Sequence, residues 1–226
     1  ARRLSQRMPE GLDRVFFVSG GSEAVEAALK LARQWALVTG QGSRWKVISR
    51  FPSYHGGTMG SLSITGDLAL TETFTPQIQV MPKVPAPTAY RDRDNLSPEQ
   101  RGLKYADMLE EKILAEGPDS VLAFIMEPIG GAATAALVPP DSYFPRIREI
   151  CDRHNVILIF DEIITGFGRT GNMFAAQTFG VTPDIICGGK GLASGALPMG
   201  AMIAREEMGD VFFGPVAAEV NFAHGH

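Results

Sequence analysis

The 226-residue sequence predicts an α/β fold in which a mostly parallel central sheet carries helices on both faces. Several short segments are apolar at nearly every position, as expected of strands buried on both faces. Amphipathic stretches separate these segments, which is typical of alternating strands and helices. With 45% apolar residues the chain can bury one large core. We therefore expect one domain over residues 1–226.

The apolar segments define the predicted strands, and the amphipathic ones define the helices. Strands are predicted at residues 14–18, 46–51, 121–126, 156–160, 184–187 and 197–204. Helices are predicted at residues 22–38, 98–115 and 142–155. The first helix has an apolar face at helical spacing, formed by Ala24, Ala28, Leu31 and Trp35.

Helix starts carry their own signals. Ser97 is the predicted N-cap of the second helix, because proline follows at the first helical position. Asp141 or Ser142 is the predicted N-cap of the third helix. Residues 71–97 break the alternating pattern and contain four prolines, so they predict a long surface loop within the domain.

Composition limits the classes of partner. A net charge of −4 and a pI near 5.6 argue against nucleic acid and anionic membranes, which an acidic surface does not attract. No apolar run approaches the ~20 residues of a membrane helix. Cys151 and Cys187 have apolar neighbours and predict buried free thiols in a reducing cytoplasm. The absent initiator Met and the abrupt end at His226 predict a fragment truncated at both ends.

Four predicted strands lead into polar or glycine-rich residues at their carboxyl ends. The first runs into Ser-Gly-Gly-Ser at residues 19–22, and the others into Glu127, Asp161 and Lys190. Ligands of open α/β sheets bind beyond the carboxyl ends of the strands. The convergence of these residues therefore predicts a site at that edge.

Residues 19–22 have two interpretations. A glycine-rich turn before a helix offers free N–H groups and the positive end of the helix dipole to a phosphate. The ordinary alternative is a capped helix with a tight turn, which is favoured for this feature alone. Neither this turn nor residues 188–191 matches a nucleotide-binding glycine pattern, which disfavours a nucleotide-binding protein.

Each charged residue also has a structural alternative. Asp161 follows five apolar residues and is predicted to be buried, either in a site or in an ion pair with Arg169. Glu127 is either a substrate-site carboxylate or a rim residue bonded to backbone. Lys190 is either a strand-end lysine that reaches water or a desolvated amine whose lowered pKa makes it a nucleophile.

Two further motifs contain aromatic or imidazole rings. Tyr54 follows the second strand and could stack on a planar ligand, although a core position is the usual outcome for tyrosine. His224 and His226 suggest a metal site, but two histidines without a third ligand nearby make a poor one. We expect no metal. Together these features match the requirements of a pyridoxal phosphate site, which needs a nucleophilic lysine, a buried aspartate, a phosphate-binding turn and a stacking aromatic.

The chain resembles the class III aminotransferases, the omega-transaminase group of the fold-type-I pyridoxal phosphate enzymes. The stretches that carry the resemblance are residues 17–33, 54–58, 127–131, 160–171 and 184–192. They occur in the family's order. The resemblance implies that residues 1–226 form most of the cofactor-binding large domain, without the small C-terminal domain.

The resemblance also implies roles for individual residues. Lys190 would form the Schiff base with pyridoxal 5'-phosphate, and Asp161 would pair with the pyridine nitrogen. The other residues would contact the cofactor or the substrate: Gly21 and Ser22 at the phosphate, Tyr54 and Ile163 on the two ring faces, and Glu127 near the substrate carboxylate. Ile164 stands where many members carry glutamine, which favours the amine–pyruvate or diaminopelargonate subgroups.

The activity implied by the resemblance is transfer of an amino group from an amine or omega-amino acid to a keto acid. It would occur in a cytoplasmic homodimer whose active site lies at the subunit interface. Two alternatives remain open: a semialdehyde aminomutase of the same family, and a truncated, non-catalytic fragment unable to dimerise. We expect no nucleic-acid or membrane partner.

Overall fold

Seven strands form one sheet in the computed structural model, which describes residues 1–88, 92–213 and 221–225. In chain order they are β1 (Leu12–Val18), β2 (Lys46–Phe51), β3 (Lys83–Pro85), β4 (Val121–Met126), β5 (Ile157–Asp161), β6 (Ile185–Gly188) and β7 (Gly200–Arg205). Their spatial order is β1-β7-β6-β5-β4-β2-β3. Strand β7 runs antiparallel to both of its neighbours, and the other pairs are parallel. The prediction of a mostly parallel sheet is confirmed.

Helices cover both faces of this sheet. Those in the described residues are α1 (Arg2–Ser5), α2 (Gly21–Val38), α3 (Met59–Ile64), α4 (Leu68–Phe74), α5 (Pro98–Glu116), α6 (Tyr143–Arg153), α7 (Ala175–Phe179) and α8 (Glu206–Asp210). Helices α5 and α6 pack in one apolar cluster and α2 in the other. Successive residues of β4 alternate between the clusters, with Phe124 in the first and Ile125 in the second. This explains why the central strands are apolar at every position.

The two predicted helix starts differ in how they are capped. Ser97 accepts a hydrogen bond from the Gln100 N–H, and the Gln100 side chain accepts one from the Ser97 N–H, so α5 begins with a capping box. Ser142 precedes α6 but makes no capping bond with its side chain. Its hydroxyl donates to the Glu99 carbonyl at 2.8 Å instead, which ties the starts of the two helices together.

Residues 71–97 differ from the predicted surface loop. They include the end of α4 and the edge strand β3, which pairs in parallel with β2 and buries Val84. A three-residue strand is too short for periodicity to identify. Its terminal Pro85 is tolerated because an edge strand has an unpaired side. Residues 89–91 of this stretch lie outside the described residues.

The remaining general expectations concern thiols, metals and membranes. Cys151 and Cys187 are free and buried, as predicted, and burial raises the pKa of Cys151 to about 12. No group of three or more metal-ligating side chains occurs among the described residues. His226 lies outside them, and His224 packs against Phe16. Within the described part of the chain, no helix is both long enough and apolar enough to cross a membrane.

Candidate active site

A cavity of about 170 Å³ lies where the predicted edge of the sheet meets the start of α2. Strands β2, β4, β5 and β6 deliver residues to it from their carboxyl ends. All seven predicted site residues line it: Gly21, Ser22, Tyr54, Glu127, Asp161, Ile163 and Lys190. Four others complete the lining, namely His55, Gly56, Ile129 and Ile164. Residues distant in sequence therefore meet in one place.

Asp161 is buried and paired with a histidine that sequence reasoning missed. Its Oδ2 lies 2.8 Å from Nδ1 of His55, which is itself buried. Its Oδ1 accepts a hydrogen bond from the Ile163 N–H at 3.2 Å. The alternative of an ion pair with Arg169 is wrong, since that arginine is exposed and His55 occupies the partner position. The only signal for His55 was its place directly after Tyr54, and nothing in the sequence linked it to a strand 106 residues away.

Lys190 lines the cavity but is exposed, which corrects the expectation of a desolvated amine. It begins a 3-10 helix (Lys190–Ala193) with a left-handed φ of 40°. Glycines flank it and carry no side chains that could cover the amine. A Cβ on Gly191 would lie only 3.0 Å from Cβ of Phe167, so a larger residue would force Phe167 to shift. The strained φ of a lysine at a cavity mouth marks this position as a functional candidate.

The start of α2 forms one wall of the cavity. The helix spans 18 residues and begins at Gly21 after the extended Gly20, so its first N–H groups and its dipole face the cavity. Ser22 Oγ accepts a hydrogen bond from the Gly57 N–H at 3.1 Å. A Cβ on Gly21 would lie 2.9 Å from Cδ1 of Ile163. A side chain at position 21 would therefore push the Ile163 side chain away from this wall.

Glu127 uses both carboxylate oxygens to bind backbone. Its Oε2 accepts from the Tyr54 N–H at 3.2 Å, and its Oε1 accepts from the Gly131 N–H at 2.8 Å. The residue is buried. These contacts agree with the interpretation of a rim residue bonded to backbone. The carboxylate joins the turn after β4 to the segment that carries Tyr54.

Gly56→Ala is expected to distort the cavity, whereas Gly57→Ala is expected to leave it intact. Gly56 has φ 133°, and a Cβ there would lie 2.5 Å from Ser61 Oγ and 2.6 Å from Ser22 Oγ. A Cβ on Gly57 would meet nothing within 4 Å. The strain should destabilise Gly56→Ala by about 1–3 kcal/mol. Urea denaturation of both variants measures the difference, and equal stability of the two would contradict it.

Glu162 follows Asp161 and anchors the loop behind the cavity to α7. Its carboxylate accepts from the Ala175 N–H at 2.6 Å, from the Ala176 N–H at 2.8 Å and from the Thr165 hydroxyl at 3.0 Å. Burial raises the pKa of Glu162 from 4.5 to about 7, and its hydrogen bonds only partly oppose the rise. Between about pH 4.5 and 7 the folded protein therefore holds a proton that the unfolded chain has released.

This pKa predicts a pH dependence of stability. The contribution of protonated Glu162 is complete below about pH 4.5 and is lost as the pH rises through about 7. The slope in this window is at most about 1.4 kcal/mol per pH unit. Glu162→Gln should remove it, as measured by urea denaturation at several pH values between 4.5 and 7.5. An unchanged slope in the variant would show that Glu162 is ionised throughout.

Known proteins match the whole chain. A family model described as Aminotransferase class-III covers residues 1–219. A probable aminotransferase of Mycobacterium tuberculosis is 44% identical over 226 residues, which are 100% of this chain and 48% of the relative. The putrescine–pyruvate aminotransferase of Pseudomonas aeruginosa is 40% identical over 211 residues, which are 93% of this chain and 46% of that enzyme. The chain thus spans about half the length of these curated relatives.

Solved structures match the fold of the chain over its whole length. The crystal structure of an omega transaminase from Pseudomonas jessenii in complex with PMP has a TM-score of 0.94 and 36% sequence identity. The alignment covers 100% of this chain and 50% of that one. The match of sequence, fold and family model over nearly the full chain leaves one conclusion: the chain belongs to the class III aminotransferases.

Proposed function

We propose that the protein containing this chain is an omega-transaminase that uses pyridoxal 5'-phosphate. It moves an amino group from an amine or omega-amino acid to a keto acid such as pyruvate. The observation that carries the proposal is the meeting of Lys190, Asp161 and the start of α2 at one cavity. The cofactor is general to class III aminotransferases, and a neighbour of this fold contains PMP, the aminated form of the same cofactor.

The residues of the cavity suit pyridoxal phosphate. The N-terminus of α2 offers N–H groups to a phosphate. Asp161 offers a buried carboxylate to the pyridine nitrogen, while Tyr54 and Ile163 offer an aromatic and a branched side chain for the two ring faces. The backbone also leaves room, since a Cβ on Gly56 would collide with Ser22 at the phosphate end.

In the proposed chemistry, four residues of the cavity have separate roles. Pyridoxal phosphate supplies an aldehyde that takes up the amino group and a ring that stabilises negative charge. Lys190 would hold the cofactor through its amine and, once released, carry a proton on Nζ to and from the substrate carbon. Asp161 would keep a proton on the ring nitrogen, and His55 would orient its carboxylate. Glu127 would hold the Tyr54 backbone against the cavity.

The proposal also covers the domain organisation, oligomeric state, location and partners of the full protein. Residues 1–226 would form its cofactor-binding large domain, and the active site would lie at the interface of a homodimer, as in the resemblance already described. The two free thiols support a cytoplasmic location. Small amines and keto acids would be its partners.

Turnover by the full-length parent tests this function. The protein loaded with pyridoxal phosphate should convert putrescine and pyruvate to the donor's aldehyde and alanine. Without pyruvate the reaction should stop after one equivalent of donor per cofactor. Conversion of an amino semialdehyde without any acceptor would instead favour the aminomutase alternative. A parent that binds the cofactor but aminates neither pyruvate nor 2-oxoglutarate would refute the proposal. Residues 1–226 expressed alone test whether the fragment is non-catalytic.

A further inference from the structure

Arg50 is a buried arginine that the proposed chemistry does not use. It occupies the penultimate position of β2 and is 1% exposed. Its Nη2 donates a hydrogen bond to the main-chain carbonyl of Glu127, while Nε and Nη1 have no hydrogen-bond partner. Within the described residues it therefore bonds a carbonyl and pairs with no carboxylate.

The surroundings of Arg50 make this arrangement costly. By strand alternation Arg50 faces the same side as Ile48, the side covered by α5 and α6. There it lies beside the buried hydroxyl of Tyr143, with which its guanidinium interacts. Burial raises the pKa of Tyr143, and the positive charge of Arg50 opposes that rise. Charges buried without a counter-ion are strongly unfavourable, so an apolar side chain would serve packing better here.

The hydrogen bond from Arg50 connects it to Glu127, which lines the cavity. It holds the main chain of Glu127, whose carboxylate in turn accepts from the N–H groups of Tyr54 and Gly131. The two strands involved, β2 and β4, are hydrogen-bonded neighbours. A shift of the Glu127 main chain would therefore misplace both of its carboxylate contacts and release the segment that carries the Tyr54 ring.

We propose that Arg50 is a positioning residue that fixes Glu127 and, through it, holds Tyr54 at the cavity wall. Arg50 itself does not line the cavity. The part of the inference that concerns cofactor orientation rests on the proposed function. The part that concerns the Tyr54 and Gly131 amides does not, because those hydrogen bonds exist within the chain itself.

Arg44 provides a matched control. It is also an arginine with a largely buried side chain, and its Nη1 donates to the carbonyls of Pro118, Val121 and His154. These acceptors lie at the opposite, amino end of β4 and the segment before β5. Arg44→Met therefore removes the same kind of bond far from the cavity, together with a 3.9 Å ion pair to the exposed Asp119.

Hydrogen exchange in the cofactor-free, full-length parent tests the internal chain of contacts. Arg50→Met should accelerate exchange at least about 10-fold in peptides containing Tyr54 and Gly131, and Arg44→Met should leave both at the wild-type rate. Arg50→Lys should give an intermediate rate, because a single ammonium group lacks the planar geometry of guanidinium. If Arg50→Met does not fold, Arg50→Lys decides: wild-type exchange at both amides overturns the inference.

Cofactor binding provides the second measurement. Arg50→Met should raise the Kd for pyridoxal phosphate about 10-fold and alter the circular dichroism of the bound chromophore, which reports ring orientation. Arg44→Met should lower Tm without either change. Equal effects of the two variants would show that Arg50 is merely structural. A wild-type protein that binds no pyridoxal phosphate would refute the proposed function. The exchange data would still show whether Arg50 holds the Tyr54 and Gly131 amides in place.

Discussion

Lys190→Ala is expected to abolish amino-group transfer in the full-length parent, with a loss of at least about 10³-fold. The variant removes both the amine that would hold the cofactor aldehyde and the group that would move the proton. Wild-type protein mixed with pyridoxal phosphate should acquire a covalent, borohydride-stabilised label. Peptide mass spectrometry should find it on Lys190, and the variant should carry none.

Lys83 is the natural control for this experiment. Burial lowers its pKa to about 8, the property usually expected of a nucleophilic lysine. Its Nζ donates to the Ser63 carbonyl at 3.1 Å, and it does not line the cavity. Lys83→Ala should therefore keep the label and the activity. A label on Lys83 in place of Lys190 would overturn the assignment, because it would show that pKa rather than position selects the reactive amine.

Asp161→Asn is expected to lower the rate of transfer by about 10²–10³-fold, the scale of losing one preorganised electrostatic group. Asparagine preserves the size of the side chain but has no charge with which to keep the ring nitrogen protonated. It also leaves buried His55 without its carboxylate partner. Single-turnover kinetics of the cofactor-loaded parent measure the effect on chemistry separately from substrate binding.

Asp184→Asn separates this electrostatic role from simple burial of a carboxylate. Asp184 is largely buried and paired with Arg148 at 3.0 Å and Arg205 at 2.8 Å, at the end of the sheet opposite the cavity. Its variant should lose stability because two arginines lose their partner. The single-turnover rate should stay near wild type. Comparable rate losses in both variants would contradict the proposed role of Asp161.

The strand and helix pattern of the fold was predictable because buried segments contain apolar residues at the positions that avoid water. Strands β2 and β4 lie between two helical layers, and their boundaries match the predicted ones at both ends. Strand β3 was missed because three residues at an edge carry too little periodicity. The antiparallel direction of β7 was also not predicted, because the apolar pattern of a strand does not depend on the direction in which it pairs.

The site residues were predictable for a related reason. Parallel strands place their carboxyl ends along one edge, so Glu127, Asp161 and Lys190 could be assigned to the same place before any contact was known. Their position follows from the sheet alone. Their roles in catalysis remain predictions, supported by membership of the class III aminotransferases.

Tertiary structure alone decided how those residues are held. The pairs His55–Asp161 and Arg50–Glu127 join residues 106 and 77 positions apart. Lys190, for which a desolvated amine was one expectation, is exposed at the cavity, and the amine with the lowered pKa is that of half-buried Lys83 outside the cavity. A sequence records which residues avoid water, because that preference belongs to each side chain. It does not record which polar atoms meet, because a hydrogen bond depends on distances set by the whole fold.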